Sequence, residues 1–286
     1  MISGIGHLPM NPSLKGQAEV LQHIVYSENG QELTLILPWK VGQDRDAQKR
    51  APLIVFVQGS AWTTPNLDFE IPMLSHFAEE GFAVATVSHR STRDGHHFPA
   101  FLVDVKCAIR FLRAHAAEYA IDPVRVAAFG TSSGGNTVCL LGLTGDDPAY
   151  RSGEYPDESD AVCAVVACFP PTDLPALFEH LKDAPDIRNV MTAYYGPDEA
   201  KWQDMAEACS PARIVRPGQA YPPFMLLHGT ADWLVPCAQM EMLYEKLKEA
   251  GVEVSAWYVD GAEHEGNFWS PAVRQAIHDE LVKRLG

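Results

Sequence analysis

Val124-Arg125-Val126-Ala127-Ala128-Phe129-Gly130-Thr131-Ser132-Ser133-Gly134-Gly135 is the stretch on which the reading of this chain turns. Val124 to Phe129 reads as a largely apolar strand. It passes without a linker into Gly-x-Ser-x-Gly, and a helical pattern then continues to about Leu143. A strand that reverses into a helix over so few residues needs glycines, because Cβ atoms would collide in the bend. The bend lifts the Ser132 hydroxyl clear of the strand and sets it at a helix N-terminus, where free N–H groups favour developing negative charge. A Gly/Ser turn that only caps a helix is the plain alternative, since short motifs arise by chance. The strand before and the helix after favour a nucleophile at Ser132.

Outward from this point the same alternation recurs. Leu53–Val57, Phe82–Ser88, Ala161–Phe169, Phe224–His228 and Val252–Val259 read as buried strands. Asp68–Glu80 (closed by Gly81), Pro99–Tyr119 (broken by Asp122-Pro123), Cys237–Ala250 and Pro271–Leu285 read as helices. Glu19–Ser27 and Glu32–Leu37 flank Glu28-Asn29-Gly30, a hairpin signal, and a polar loop over Val41–Arg50 follows. Strand-helix alternation predicts an α/β fold, a mostly parallel central sheet with helices on both faces. Residues 170–223 lose this rhythm. They are rich in proline, with short helical pieces at Pro175–Leu181 and Asp186–Tyr195, and read as a lid-like insertion within a single domain over 1–286.

A chain of 286 residues with 47% hydrophobic side chains can bury a core without metal or disulfide staples. Its six cysteines form no C-x-x-C pair and read as reduced thiols. The net charge of -15 argues against nucleic acid as a partner, because phosphate binding needs clustered Lys and Arg. No signal sequence and no apolar run of roughly 20 residues is present, so a cytoplasmic protein without membrane association is expected. Homo-oligomerisation is left open.

A serine hydroxyl needs a base, and the base needs an orienting acid. In the chain order Ser, acid, His, the acid candidate is Asp232, in the turn that ends Met225-Leu226-Leu227-His228-Gly229-Thr230-Ala231-Asp232. The base candidate is His264, just after the last strand, with a ring that titrates near neutrality. His228 reads as structural, and His96 and His97 as pocket or solvated loop residues. An oxyanion is to be held by two backbone N–H groups: Ser133, and either Ser60 or Ala61 in Gln58-Gly59-Ser60-Ala61-Trp62. Trp233, with Tyr194, Tyr195, Phe178 and Trp202, is a candidate to line an acyl or alcohol pocket, against the plainer role of core packing.

Gln58-Gly59-Ser60-Ala61-Trp62, Gly130-Thr131-Ser132-Ser133-Gly134-Gly135, His228-Gly229-Thr230-Ala231-Asp232 and His264-Glu265-Gly266, in that order, resemble the motifs of the α/β-hydrolases related to bifunctional feruloyl/acetyl-xylan esterases, over most of the chain from about Leu53 onward. The resemblance implies carboxylic ester hydrolysis of a small-molecule ester through an acyl-enzyme, with no cofactor and no metal. It implies a triad of Ser132, Asp232 and His264. It makes Trp62 the aromatic residue that closes the oxyanion motif, and Trp62, His97 and Trp233 are taken as substrate-binding candidates. Gln58 stands where the esterase pattern has His, and Ser60 and Ala61 where it has Gly. The pattern also resembles kynurenine formamidases, which makes amide cleavage by the same machinery the alternative.

Overall fold

A computed structural model of the chain describes residues 5–12, 16–38 and 50–286. An eight-stranded sheet runs β1 (Ala18–Val25), β2 (Glu32–Pro38), β4 (Ala83–Val87), β3 (Ala51–Val57), β5 (Ile121–Thr131), β6 (Ala164–Cys168), β7 (Phe224–Gly229) and β8 (Val254–Val259) in spatial order. The β1–β2 and β2–β4 pairs are antiparallel, and every other pair is parallel. The hairpin expected around Asn29 joins β1 and β2, with Gly30 at φ 74°. The loop expected over Val41–Arg50 lies, but for Arg50, outside the described residues.

The sheet is buried on both faces because its central strands carry apolar residues at odd and even positions alike. Leu53, Val55 and Val57 point to one core, which they share with Val105 and Ile109 of α2 (Ala100–Ala114), Leu140 of α3 (Ser132–Leu143) and Leu243 of α8 (Ala238–Glu249). Ile54 and Phe56 point to the other, shared with Leu74 and Phe77 of α1 (Ile71–Glu79) and with Ile277 and Leu281 of α9 (Pro271–Leu285). Among the described residues no helix is long and apolar enough to cross a membrane.

Two boundaries differ from the sequence reading. The helix expected to reach Tyr119 stops at Ala114. The chain then turns through Ala120, at φ 54°, and β5 begins at Ile121. Asp122 therefore lies within the start of β5 instead of breaking a helix, its carboxylate accepting from the N–H of Val124. Between β6 and β7 lie four short helices: α4 (Leu174–His180), α5 (Ile187–Tyr195), α6 (Trp202–Ala208) and α7 (Pro211–Ile214). They are pinned from outside by Gln239, whose Oε1 accepts from the N–H groups of Thr172 and Asp173, and from within by Ser210, whose Oγ accepts from the N–H of Leu174.

Candidate active site

Ser132 is the first residue of α3 and sits at φ 50°, a left-handed conformation that a non-glycine residue holds only where its surroundings enforce it. The neighbouring glycines show what enforces it. A Cβ on Gly134 would lie 2.0 Å from the Val57 carbonyl oxygen, and one on Gly130 would lie 2.4 Å from the Gly134 carbonyl oxygen. The elbow is thus wedged between β3 and the first turn of α3, leaving the Ser132 side chain half-buried at the C-terminal edge of the sheet.

His264 reaches this hydroxyl from the loop after β8. Its Nε2 lies 3.0 Å from Ser132 Oγ, and its Nδ1 lies 2.7 Å from Asp232 Oδ2. Asp232 comes from the loop after β7, with its side chain fully buried. Its other oxygen accepts from the N–H groups of Leu234 and Val235 at 3.0 and 2.9 Å. Burial pushes the carboxyl up. The hydrogen bonds from His228 and His264 and the Val235 N–H outweigh it and hold Asp232 well below the usual carboxylate range. Asp232 is therefore an anion at neutral pH, and a carboxylate can only accept, so His264 Nδ1 carries hydrogen and Nε2 presents its lone pair to Ser132.

Two residues outside this line brace it, one of them not singled out in the sequence. Phe169, directly after β6, packs its ring edge-to-face on His264 at 4.7 Å between centroids. No local pattern marks it, because its partner lies on a distant loop. His228, read as structural, is fully buried. It places Nε2 2.7 Å from the Val235 carbonyl and 3.4 Å from Asp232 Oδ2, so it ties the two ends of the acid loop together. The loop bearing His264 is further held by Trp269 Nε1, which donates to Glu265 Oε2, and by Glu263 N–H, which donates to Asn267 Oδ1.

The Gln58–Trp62 loop lies against the elbow. Gly59 N–H donates to Thr131 Oγ1 and Ser60 N–H donates to Ser133 Oγ, both at 2.9 Å. Ala61 and Trp62 then take φ of 51° and 56°. No hydrogen bond within the described residues engages the N–H of Ala61, which is exposed. Of the two alternatives in this loop, Ser60 has its N–H occupied and Ala61 has its N–H available. Ser133 N–H stands in the first turn of α3, where helical N–H groups lack intrahelical partners.

The expected pocket residues divide. Trp62 does not face a cleft: it is 5% exposed, packs on Tyr194 and Phe101, and donates its indole N–H to Asn136 Oδ1. An indole ring in an apolar setting needs a partner for its one donor, and Asn136 inside α3 provides it. Tyr194, Tyr195 and Phe178 are likewise buried, as one aromatic cluster behind Trp62, and Trp202 is half-buried against Tyr195. His97 is half-buried, with Nδ1 2.7 Å from the Ala193 carbonyl, and so ties its loop to α5. Trp233 is 70% exposed beside Asp232, and its carbonyl lies 2.9 Å from His180 Nε2.

Comparison with known proteins places these features among relatives. The family model BD-FAE matches residues 41–247. A solved structure described as a truncated form of carbohydrate esterase from gut microbiota is 27% identical, covers 96% of this chain and 99% of its own, and superposes with a TM-score of 0.78. Thermogutta terrifontis esterase 2 phosphonylated by sarin is 25% identical over 97% of each chain, with a TM-score of 0.75. Two Mycobacterium tuberculosis proteins are each 30% identical. One is named "Probable carboxylic ester hydrolase LipM" (79% of this chain, 51% of the relative) and the other "Esterase LipQ" (87% and 58%). This chain spans about half the length of these curated relatives.

Proposed function

The chain belongs to the BD-FAE family and has the α/β-hydrolase fold, and from that premise we propose that it is a serine carboxylic ester hydrolase. The observation that carries the proposal is the continuous line Asp232–His264–Ser132, with spacings of 2.7 and 3.0 Å, ending on a strained serine at a helix N-terminus. His264 Nε2 takes the Ser132 proton as Oγ attacks the ester carbonyl carbon. The carbonyl oxygen becomes an oxyanion, and the N–H groups of Ala61 and Ser133 receive it. His264 returns the proton to the leaving alcohol, an acyl-enzyme remains on Ser132, and water repeats the cycle to release the acid. Asp232 fixes the imidazole tautomer throughout.

We assign as substrates small acyl or aromatic esters, with acetyl or feruloyl esters of oligosaccharides as the class to examine first. Two features support this: the similarity to a carbohydrate esterase over nearly the whole of both chains, and a net charge of -15, which disfavours anionic substrates. The test is hydrolysis of p-nitrophenyl acetate by the wild type and by Ser132→Ala. A loss of about 10⁴-fold or more is expected, together with loss of labelling by a fluorophosphonate. Turnover retained in a folded Ser132→Ala protein would overturn the proposal.

A further inference from the structure

A second cleft, of about 350 Å³, opens between the Thr64–Leu67 segment, the β1–β2 turn and the segment after β4. Its size falls within the roughly 300–1,000 Å³ of small-molecule sites, and none of the chemistry described above uses it. The wall carries the neutral side chains of Gln31, Thr64, Ser88 and Ser91. Ser88 Oγ is spent within the protein, donating to Gln31 Oε1 and accepting from the Glu32 N–H, both at 2.9 Å, and Ser91 Oγ accepts from the Arg93 N–H, which leaves the Gln31 amide N–H groups and the Thr64 and Ser91 hydroxyl hydrogens. It also carries His89, which is only 2% exposed.

His89 is the informative group. Its Nδ1 lies 3.1 Å from the Arg90 carbonyl oxygen. A carbonyl can only accept, so Nδ1 carries hydrogen and the neutral ring keeps a lone pair on Nε2. Among the described residues nothing pairs with that Nε2, although the ring lines the cleft. Burial lowers the pKa of His89 and prevails over the Arg90 carbonyl and the Asp104 charge, which raise it; the ring is neutral at physiological pH. Arg90, also on the wall, spends its guanidinium on Asp104 at 2.8 to 3.0 Å. The remaining formal charges are acidic: Glu32, which has His23 Nδ1 at 3.0 Å, and Asp94. An anion is therefore disfavoured, and a donor of hydroxyl hydrogens is wanted.

We propose that this cleft binds a neutral, hydroxyl-rich ligand, a sugar ring that donates one hydroxyl to His89 Nε2 while the Gln31 amide N–H groups and the Thr64 and Ser91 hydroxyls meet its other hydroxyls. The inference stands apart from the chemistry at Ser132, because it requires binding and no turnover. It is tested by titrating ¹⁵N-labelled protein with xylobiose and, separately, with putrescine as a cationic probe. Xylobiose is expected to give saturable shifts at the amides of Gln31, Thr64, Leu67 and Ser88–Ser91. His89→Phe, which keeps a ring against Phe101, should weaken binding by about tenfold, the scale of one lost hydrogen bond. Thr64→Trp, at an exposed position, should block the cleft and tests the site independently should His89→Phe not fold. Both variants should hydrolyse p-nitrophenyl acetate within about twofold of wild type. Absence of saturable xylobiose binding, shifts elsewhere on the protein, affinity unchanged in the folded variants, or binding of putrescine in place of xylobiose would each overturn the assignment.

Discussion

Replacing Asp232 with Asn removes a charge and almost no volume, and its surroundings dictate how the new amide lies. The Oδ1 position accepts from the N–H groups of Leu234 and Val235 at 3.0 and 2.9 Å, so an NH₂ placed there would face two donors. The amide oxygen keeps that place. The NH₂ then takes the Oδ2 position, 2.7 Å from His264 Nδ1 and 3.4 Å from His228 Nε2. An NH₂ only donates, so His264 Nδ1 must accept and the ring proton moves to Nε2, the atom 3.0 Å from Ser132 Oγ. A base already protonated at that nitrogen cannot take the serine proton. A wrong tautomer of this kind lowers kcat by about 10⁴, or about 5.4 kcal/mol.

The assay is steady-state hydrolysis of p-nitrophenyl acetate from about pH 5 to 9, with thermal unfolding followed separately from about pH 2 to 7. The wild-type carboxyl has a depressed pKa in the folded state. Its contribution to stability is thus fully present above the unfolded value of about 3.9 and is lost as pH falls through the folded value. The stability difference between wild type and Asp232→Asn should therefore shrink below about pH 4. A folded Asp232→Asn enzyme retaining more than about a tenth of wild-type kcat would refute the tautomer argument, since a correct tautomer is what the 10⁴ represents.

Glu70 is buried, and burial first, then the Glu265 charge, raise its pKa to about 7. A raised acid costs stability as pH climbs from about 4.5 to 7, so the stability of Glu70→Gln relative to wild type should rise over that interval and be greater at about pH 8 than at about pH 4; denaturant unfolding at both pH values decides it. Asp160 is fully buried between Lys106 Nζ at 2.6 Å and Arg110 at 2.9 Å. Asp160→Asn leaves two buried cations without their anion and should cost about 3–5 kcal/mol, read as a fall in Tm of roughly 10 °C; a fall under about 2 °C contradicts it. Gly229→Ala would set a Cβ 2.3 Å from the Ala262 carbonyl oxygen. It should push the His264 loop outward by about 1 Å and lower kcat about 10²-fold with a circular-dichroism spectrum unchanged; full activity would show that the loop yields without moving the ring.

That Ser132, Asp232 and His264 should meet was legible because each lies just beyond a recognisable strand, in an order the sheet keeps. What supports them was not. Phe169 sits on the imidazole through a contact spanning the ends of β6 and β8, with no signature in its own neighbours. Trp62, taken as a substrate contact from the family resemblance, turned out buried, because a motif match places the residue on its loop but does not say which way its ring packs. Its indole N–H instead found Asn136 of α3, 74 positions away, a pairing that no local pattern around either residue marks. Residues 170–223 resisted reading because their short helices are held by Gln239 and Ser210 rather than by their own periodicity.

The geometry also explains why a glycine follows His228. Ser132 stands at the end of β5 and His264 follows β8, with β6 and β7 between them. Three strand spacings of about 4.8 Å put those ends roughly 14 Å apart, farther than an imidazole side chain reaches. The chain after β8 must therefore lean back over the end of β7. It does so at Gly229, where the Ala262 carbonyl occupies the space a Cβ would fill and accepts from the N–H of Ala231 at 2.9 Å, while Gly261 N–H donates to Thr230 Oγ1 at 2.7 Å. The crossing shortens the span and carries His264 over Asp232, so the acid meets Nδ1 on the way to Ser132. Gly229 thus belongs to the His264–Ser132 distance as much as the elbow glycines belong to Ser132, and its place in His228-Gly229-Thr230-Ala231-Asp232 is a requirement of sheet geometry before it is one of chemistry.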